Sequence, residues 1–398
     1  MRDPAIDIHD PATYKHAVPH DQYARLRAEA PVWWQDEPDG PGFWAVTRHA
    51  DVVAVSKNPG VFSSQRGGIN IPDAAEEDLE VSAMIMISMD PPQHAKYRRL
   101  VATGFTPKMT ERLRGAVGEA VRTILDDLPD RAEVDFVTSV AARLPLFLIA
   151  DLIGWPAEDR DKMFDWSNRV ARIDFEPDDA RVAAMEFWGY CIELIESIEA
   201  GARPASQALV HTLLHAEIDG ERLSPMELVN FMLLLAIGGN ETTRNAISGG
   251  FLALHDNPDQ LASLRDDLDG RMAGAVEEIL RWTSPIIAFR RTATQSTELH
   301  GQAIAEGDKV VLYYASANRD EAVFDRPQCF DIHRDPNPHL AFGVGPHFCL
   351  GATLARMEIG ILFTELLRRF PDMRPTGEVE RLESNYVNGI LRLGVRTA

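Results

Sequence analysis

The sequence predicts a mainly α-helical protein with a minor β part, and three observations carry that prediction. Apolar residues recur at helical spacing through 110–128, 134–153, 157–172 and 178–200. A longer helical stretch, "LSPMELVNFMLLLAIGGNETTRNAISGGFLALHDNP", has its start and stop signals about 31 residues apart. Strand-like alternation is confined to residues 31–52 and 289–314.

In chain order, "PVWWQDEPDGPGFWAVTRHADV" predicts a small hairpin, with a helix starting near Ala50. Residues 63–84, "SSQRGGINIPDAAEEDLEVSAM", read as a long loop, and loops of that length are usually functional or mobile. From Asp90 the chain turns helical, with prolines in "DPPQHAKYRRLVATGF" placed just inside the helix start, where a missing N–H does no harm. The long helix opens on Ser224 with Pro225 behind it and Glu227 completing a capping box, and Asn257-Pro258 ends it. At 1.5 Å per residue it spans ~46 Å, so it must run through the middle of the molecule. A further helix is expected at 274–284, and a last one from about Gly351 to Arg369. Between them lies the second strand region, with a turn at Glu306-Gly307-Asp308. No repeat or linker divides the chain, which predicts one domain over residues 1–398.

Composition narrows the function classes. The formal charge of −21 argues against nucleic acid and anionic membrane as partners. The N-terminus has no apolar signal region, and the longest apolar run, Phe231–Ile237, is too short to span a bilayer. Three widely spaced cysteines, Cys191, Cys329 and Cys349, fit a cytoplasmic protein with reduced thiols and no membrane anchor.

One of those cysteines sits in an unusual setting, "AFGVGPHFCLGATLAR", residues 341–356. Gly343, Gly345 and Gly351 let backbone pass close to a flat group. A helix beginning just after Cys349 aims its positive dipole end at the sulfur. Such a setting suits a thiolate that ligates haem iron, whereas a lone buried cysteine is more often a small packed hydrophobe. The spacing decides between them: "FGVGPHFCLG" resembles the haem-binding loop of the cytochrome P450 family, with Phe342, Gly345, His347, Cys349 and Gly351 on the motif positions.

That resemblance extends along the chain. Glu278-x-x-Arg281 in "EEILRW" resembles the family's ExxR helix, and "RPQCFDIHR" its meander, which makes Arg334 the third member of a buried charged network. "GGNETTRN" places an acid and an alcohol in mid-helix after two glycines, against local helix preferences. It resembles the family's oxygen-activation motif, which implies that Glu241 and Thr242 relay protons to dioxygen and that Gly239 lies against the haem. Glutamate replaces the family's frequent aspartate there and reaches one methylene farther. His94 and Arg98 in "HAKYRR", Arg291 in "FRRTA", and His347 resemble the residues that bind the haem propionates.

The resemblance implies a P450 fold, haem b (iron protoporphyrin IX) bound through Cys349, and hydroxylation of an unactivated C–H bond with O2. No reductase is fused, so electrons are expected from a separate ferredoxin-type donor with its reductase. Lys96, Arg99, Lys108, Arg112 and Arg356 are the expected docking cations. Met84, Met86, Ala236, Ile286, Ile287, Phe289 and Val387 are candidate contacts for a hydrophobic small molecule of steroid, terpenoid or alkyl-chain type. Two alternatives stand beside this reading: a peroxide-driven peroxygenase, against which the acid–alcohol pair argues, and a non-catalytic haem-thiolate sensor.

Overall fold

A computed structural model describes residues 6–103, 105, 107–156, 159–170, 177–202, 209–218 and 220–397. Its centre is the helix Pro225–Asp256. Ser224 accepts the backbone N–H of Glu227, and the Glu227 carboxylate accepts the backbone N–H of Ser224 at 2.7 Å, so the expected capping box is formed. From Leu228 to Leu254 this helix is buried on several sides. Pro107–Asp126, Arg143–Ile153, Pro177–Glu199, Leu268–Thr283 and Ala352–Arg369 contribute to the main apolar core around it. A helix covered on most of its circumference cannot be amphipathic, which explains its continuous apolar run. Among the described residues no helix is long and apolar enough to cross a membrane.

Among the described residues the β part is one five-stranded sheet and two small ones. The five strands lie in the order Val32–Gln35, Phe43–Val46, Lys309–Tyr313, Ala288–Ala293 and Phe62–Ser63. Only the contact of Phe43–Val46 with Lys309–Tyr313 is parallel. Ala288–Ala293 therefore joins two layers, with Ile287 and Ala288 in a core with Tyr23 and Tyr313, and Phe289 against a second core with Tyr314.

Several expectations shift. The stretch 134–153 divides into the strand Glu133–Asp135, one turn of π-helix over Val137–Ala141 and the helix Arg143–Ile153. The prolines before His94 precede the helix Gln93–Ala102 rather than opening it. The long loop contains a helix, Glu76–Ser82, with no buried residue. The C-terminal hairpin, Arg374–Arg381 with Ile390–Arg396, was not foreseen. Residues 157–158 and 171–172 of one expected helix lie outside the described residues; Arg160–Val170 is helical.

Glu278 and Arg281 are fully buried and meet through two bonds of 2.8 and 2.7 Å. Arg334 Nε donates to Glu278 at 3.2 Å, as do the Asp331 N–H at 2.8 Å and Asn337 Nδ2 at 3.1 Å. Arg281 also donates to the carbonyls of Asn318, Pro327 and Cys329. The network thus pins the segment leading to Cys349 against the helix Leu268–Thr283. Removing one partner leaves a buried charge under-compensated. Arg281→Ala is expected to destabilise the protein by about 3–5 kcal/mol, read as the shift of the denaturant midpoint; a loss below about 1 kcal/mol would place the network among surface pairs.

Candidate active site

The loop that carries Cys349 is shaped by its own backbone. Gly343 has φ +67° and Gly345 φ +78°, conformations that disfavour side chains. A Cβ on Gly345 would also lie 2.8 Å from the Ser56 carbonyl. The Cys349 N–H donates to the Phe342 carbonyl at 2.9 Å, and Phe348 N–H to Gly345 at 3.1 Å. The helix Ala352–Arg369 starts three residues on. The Gly351 N–H favours the charged form of the sulfur. Cys349 is accessible, not packed as a small hydrophobe, yet burial pushes its thiol pKa up. Both hold for a side chain facing an internal cleft. The Gly351 N–H and the charges of Arg98 and Arg356 work in the opposite direction and favour thiolate.

Two histidines and two arginines from three elements lie nearby: His94 and Arg98 on the helix Gln93–Ala102, Arg291 on the strand Ala288–Ala293 and His347 in the cysteine loop. The rings of His94 and His347 lie 4.2 Å apart. Burial, Arg291, His94 and Arg98 hold His347 down at about 3, and burial and Arg98 lower His94. The His94 ring is buried and its Nε2 has no partner. His347 Nε2 meets the Ser64 hydroxyl at 3.2 Å, a contact the sequence did not signal. Arg98 donates to the Phe348 carbonyl at 2.5 Å, and buried Arg291 to Arg290 at 2.7 Å. Two cations plus an unsatisfied polar ring beside a cysteine fit a flat macrocycle with two carboxylates.

The central helix forms another wall. Gly238 is exposed between the half-buried Ile237 and Gly239, and a Cβ there would meet nothing within 4 Å. Gly239 faces Ile149 instead, where a Cβ would come within 2.7 Å. It permits close helix packing and is not the glycine that faces the opening. Thr242 Oγ1 donates to the Gly238 carbonyl at 2.7 Å, a back-bond that leaves its lone pairs free. Glu241, one residue earlier, turns to Arg244 at 3.1 Å. Burial raises its carboxyl pKa, and Arg244 opposes the rise.

The candidate contacts separate. Met84 is exposed, and Ile286 and Phe289 are half-buried. Met86 and Ala236 are packed in the main core, Ile287 in the core beside Tyr23, and Val387 is buried where it bridges Ile286. Of the expected docking cations, Arg356 is bound by both nitrogens to Glu277 at 2.6 and 2.8 Å, Lys96 is paired with Glu221, and Arg112 lies 3.9 Å from Asp151. Arg99 is exposed, and the Lys108 side chain lies outside those described.

Fold and site define a class: a helical protein built around a cysteine cradle for a dianionic macrocycle. Residues 149–392 match the family model described as cytochrome P450. The chain is 41% identical to the steroid C26-monooxygenase of Rhodococcus jostii, covering 97% of this chain and 83% of that one. It is 41% identical to the methyl-branched lipid omega-hydroxylase of Mycobacterium bovis, covering 94% and 90%. Among solved structures it is similar to a Mycobacterium marinum cytochrome P450 in complex with pseudoionone, with TM-score 0.89, 37% identity and 99% of each chain covered. The chain belongs to the cytochrome P450 family. It is a monooxygenase with haem b as cofactor.

Glu277 gives a pH prediction. Burial works against its ionisation, but Arg356 and His339 hold it at about 2, below the ordinary 4.5. A depressed carboxyl contributes stability that is present above pH 4.5 and is lost as pH falls toward 2. Glu277→Gln should flatten that part of the stability–pH curve, measured by urea unfolding; an unchanged slope contradicts the assignment.

Proposed function

We propose that the protein hydroxylates a chain-terminal carbon of a hydrophobic substrate bearing a branched alkyl chain, of sterol or methyl-branched lipid type. The observation that carries this reading is the exposed Gly238 in mid-helix with the half-buried Thr242 bonded back to its carbonyl, together with the accessible Cys349 and the half-buried apolar surface of Ile286 and Phe289. An apolar lining with few polar groups selects a hydrophobic molecule. The names of two relatives, one acting at C26 of a steroid and the other at the omega carbon of a methyl-branched lipid, support the choice of carbon.

Bound through the Cys349 thiolate, haem supplies activation of O2 with two electrons. The remaining roles belong to the chain. The Gly351 N–H and the helix Ala352–Arg369 hold negative charge on the sulfur. Arg98 and Arg291 would balance the two propionates, and His94 and His347 would complete that set, a reading supported by the partnerless Nε2 of His94 and its ring contact with His347. Thr242 Oγ1, engaged only as a donor to Gly238, accepts and orients a water beside the reacting oxygen. Glu241, with its pKa raised by burial, takes a proton from solvent and passes it on when it leaves Arg244. Phe342 shields the sulfur side. Electrons come from a ferredoxin-type donor with its reductase, in the cytoplasm.

A relay by a positioned side chain is worth about 10²–10⁴-fold. Thr242→Ala is therefore expected to lower product formation by about 100-fold while oxygen uptake continues and hydrogen peroxide is released. The substrate assignment is tested by turnover of a sterol with its full side chain, with product analysis by mass spectrometry. Oxidation of the terminal side-chain carbon is the expected product, and hydroxylation confined to the rings would contradict it. Turnover at full rate with hydrogen peroxide alone would favour the peroxygenase reading.

A further inference from the structure

Beside the buried Glu278, its neighbour Glu277 makes a separate set of bonds. It binds Arg356 Nε at 2.6 Å and a terminal guanidinium nitrogen at 2.8 Å. It also meets His339 Nε2 at 3.1 Å. The Ala341 N–H donates to His339 Nδ1 at 3.2 Å, so the ring proton sits on Nε2 and points to Glu277. The His339 side chain is almost wholly buried. The Arg356 guanidinium lies 4.5 Å over the Phe342 ring. Phe342 in turn accepts the Cys349 N–H. One carboxylate thus holds a histidine before the cysteine loop and an arginine after it, and the arginine is stacked on the loop's own aromatic ring.

The electrostatics follow from that geometry. Arg98 bonds the carbonyl of Phe348 next to the cysteine, and Arg356 stands over Phe342, whose carbonyl accepts the Cys349 N–H; both cations favour the anionic sulfur. Of these two, among the described residues, Arg356 is paired with a carboxylate, whereas Arg98 bonds the Phe348 carbonyl. At short range in a partly buried site a full charge is weakly screened, so whether Arg356 is neutralised matters to the sulfur. An uncompensated cation there draws electron density from the thiolate and stabilises the reduced, more negative iron centre.

We propose that Glu277 is a positioning residue that sets the charge felt by the Cys349 sulfur, by neutralising Arg356 and fixing it over Phe342, and so holds the haem reduction potential low. The proposal rests on the reading of Cys349 as the iron ligand. It gives Arg356 a task that differs from docking an electron donor.

The test is a dye-mediated redox titration of the holoenzyme, with the C–O stretch of its reduced carbon monoxide complex as a second readout. Glu277→Gln is expected to make one-electron reduction roughly tenfold more favourable, a rise of about 59 mV. It should also raise the C–O stretching frequency, because a weaker thiolate gives less back-donation. Arg356→Gln should move both quantities the other way, and the double variant should return close to the parent. Unchanged potentials in both single variants, or shifts of the same sign, overturn the proposal. Slower reduction by a ferredoxin-type donor with the potential unchanged also overturns it and puts Arg356 on the docking face. If Glu277→Gln takes up no haem, Arg356→Gln alone decides by the sign of its shift. A parent enzyme whose carbon monoxide complex lacks the spectrum of a thiolate-ligated haem instead defeats the reading of Cys349, a separate result.

Discussion

A thiolate inside a protein is stable only where something replaces the water it has lost. Burial alone pushes the Cys349 thiol toward its neutral form. What opposes burial is a short inventory: one backbone N–H, a helix start and two guanidinium groups. The rest of the molecule can be understood as holding these in place. Gly343 and Gly345 bend the loop in a way other residues resist. The Glu278–Arg281–Arg334 network fixes the approach to it. Arg98 arrives from a helix some 250 positions earlier in the chain and bonds the Phe348 carbonyl.

The opposite wall is built on broken helix rules. A glycine in mid-helix weakens it, and a threonine competes for its backbone bonds. In Pro225–Asp256 the two faults are paired: half-buried Thr242 bonds back to the carbonyl of Gly238, which is exposed in a helix otherwise largely covered by its neighbours. Extensive burial of the rest of the helix offsets that local cost. Glu241 and Thr242 are adjacent but have different partners, the acid bonding Arg244 and the alcohol the Gly238 carbonyl; on the proposed reading this is the resting state of the relay.

What was legible in the sequence was what depends on near neighbours. The start of the central helix rests on Ser224, Pro225 and Glu227, all within one turn, and it was read to the residue. The cysteine loop was legible for the same reason. Pairings across the fold were not. Arg356 and Glu277 are 79 positions apart, and Arg356 looked like an exposed cation until its partner was placed. Glu76–Ser82 buries no residue, so it carries no periodic apolar signal. Ile286 and Ile287 look interchangeable in a list of apolar residues, but adjacent positions on an extended chain face opposite ways. One is half-buried and the other is core. Of two adjacent glycines, only the structure tells that Gly238 is open and Gly239 lies against Ile149.

The central claim is that sulfur from Cys349 is bonded to the iron. It is tested most directly by reducing the purified holoenzyme under carbon monoxide and recording the optical spectrum. A Soret band far to the red of that of a histidine-ligated haem protein is the predicted result, because strong donation from a thiolate shifts it there. A globin-like band from correctly folded enzyme, or a red-shifted band that survives in Cys349→His, would contradict the account.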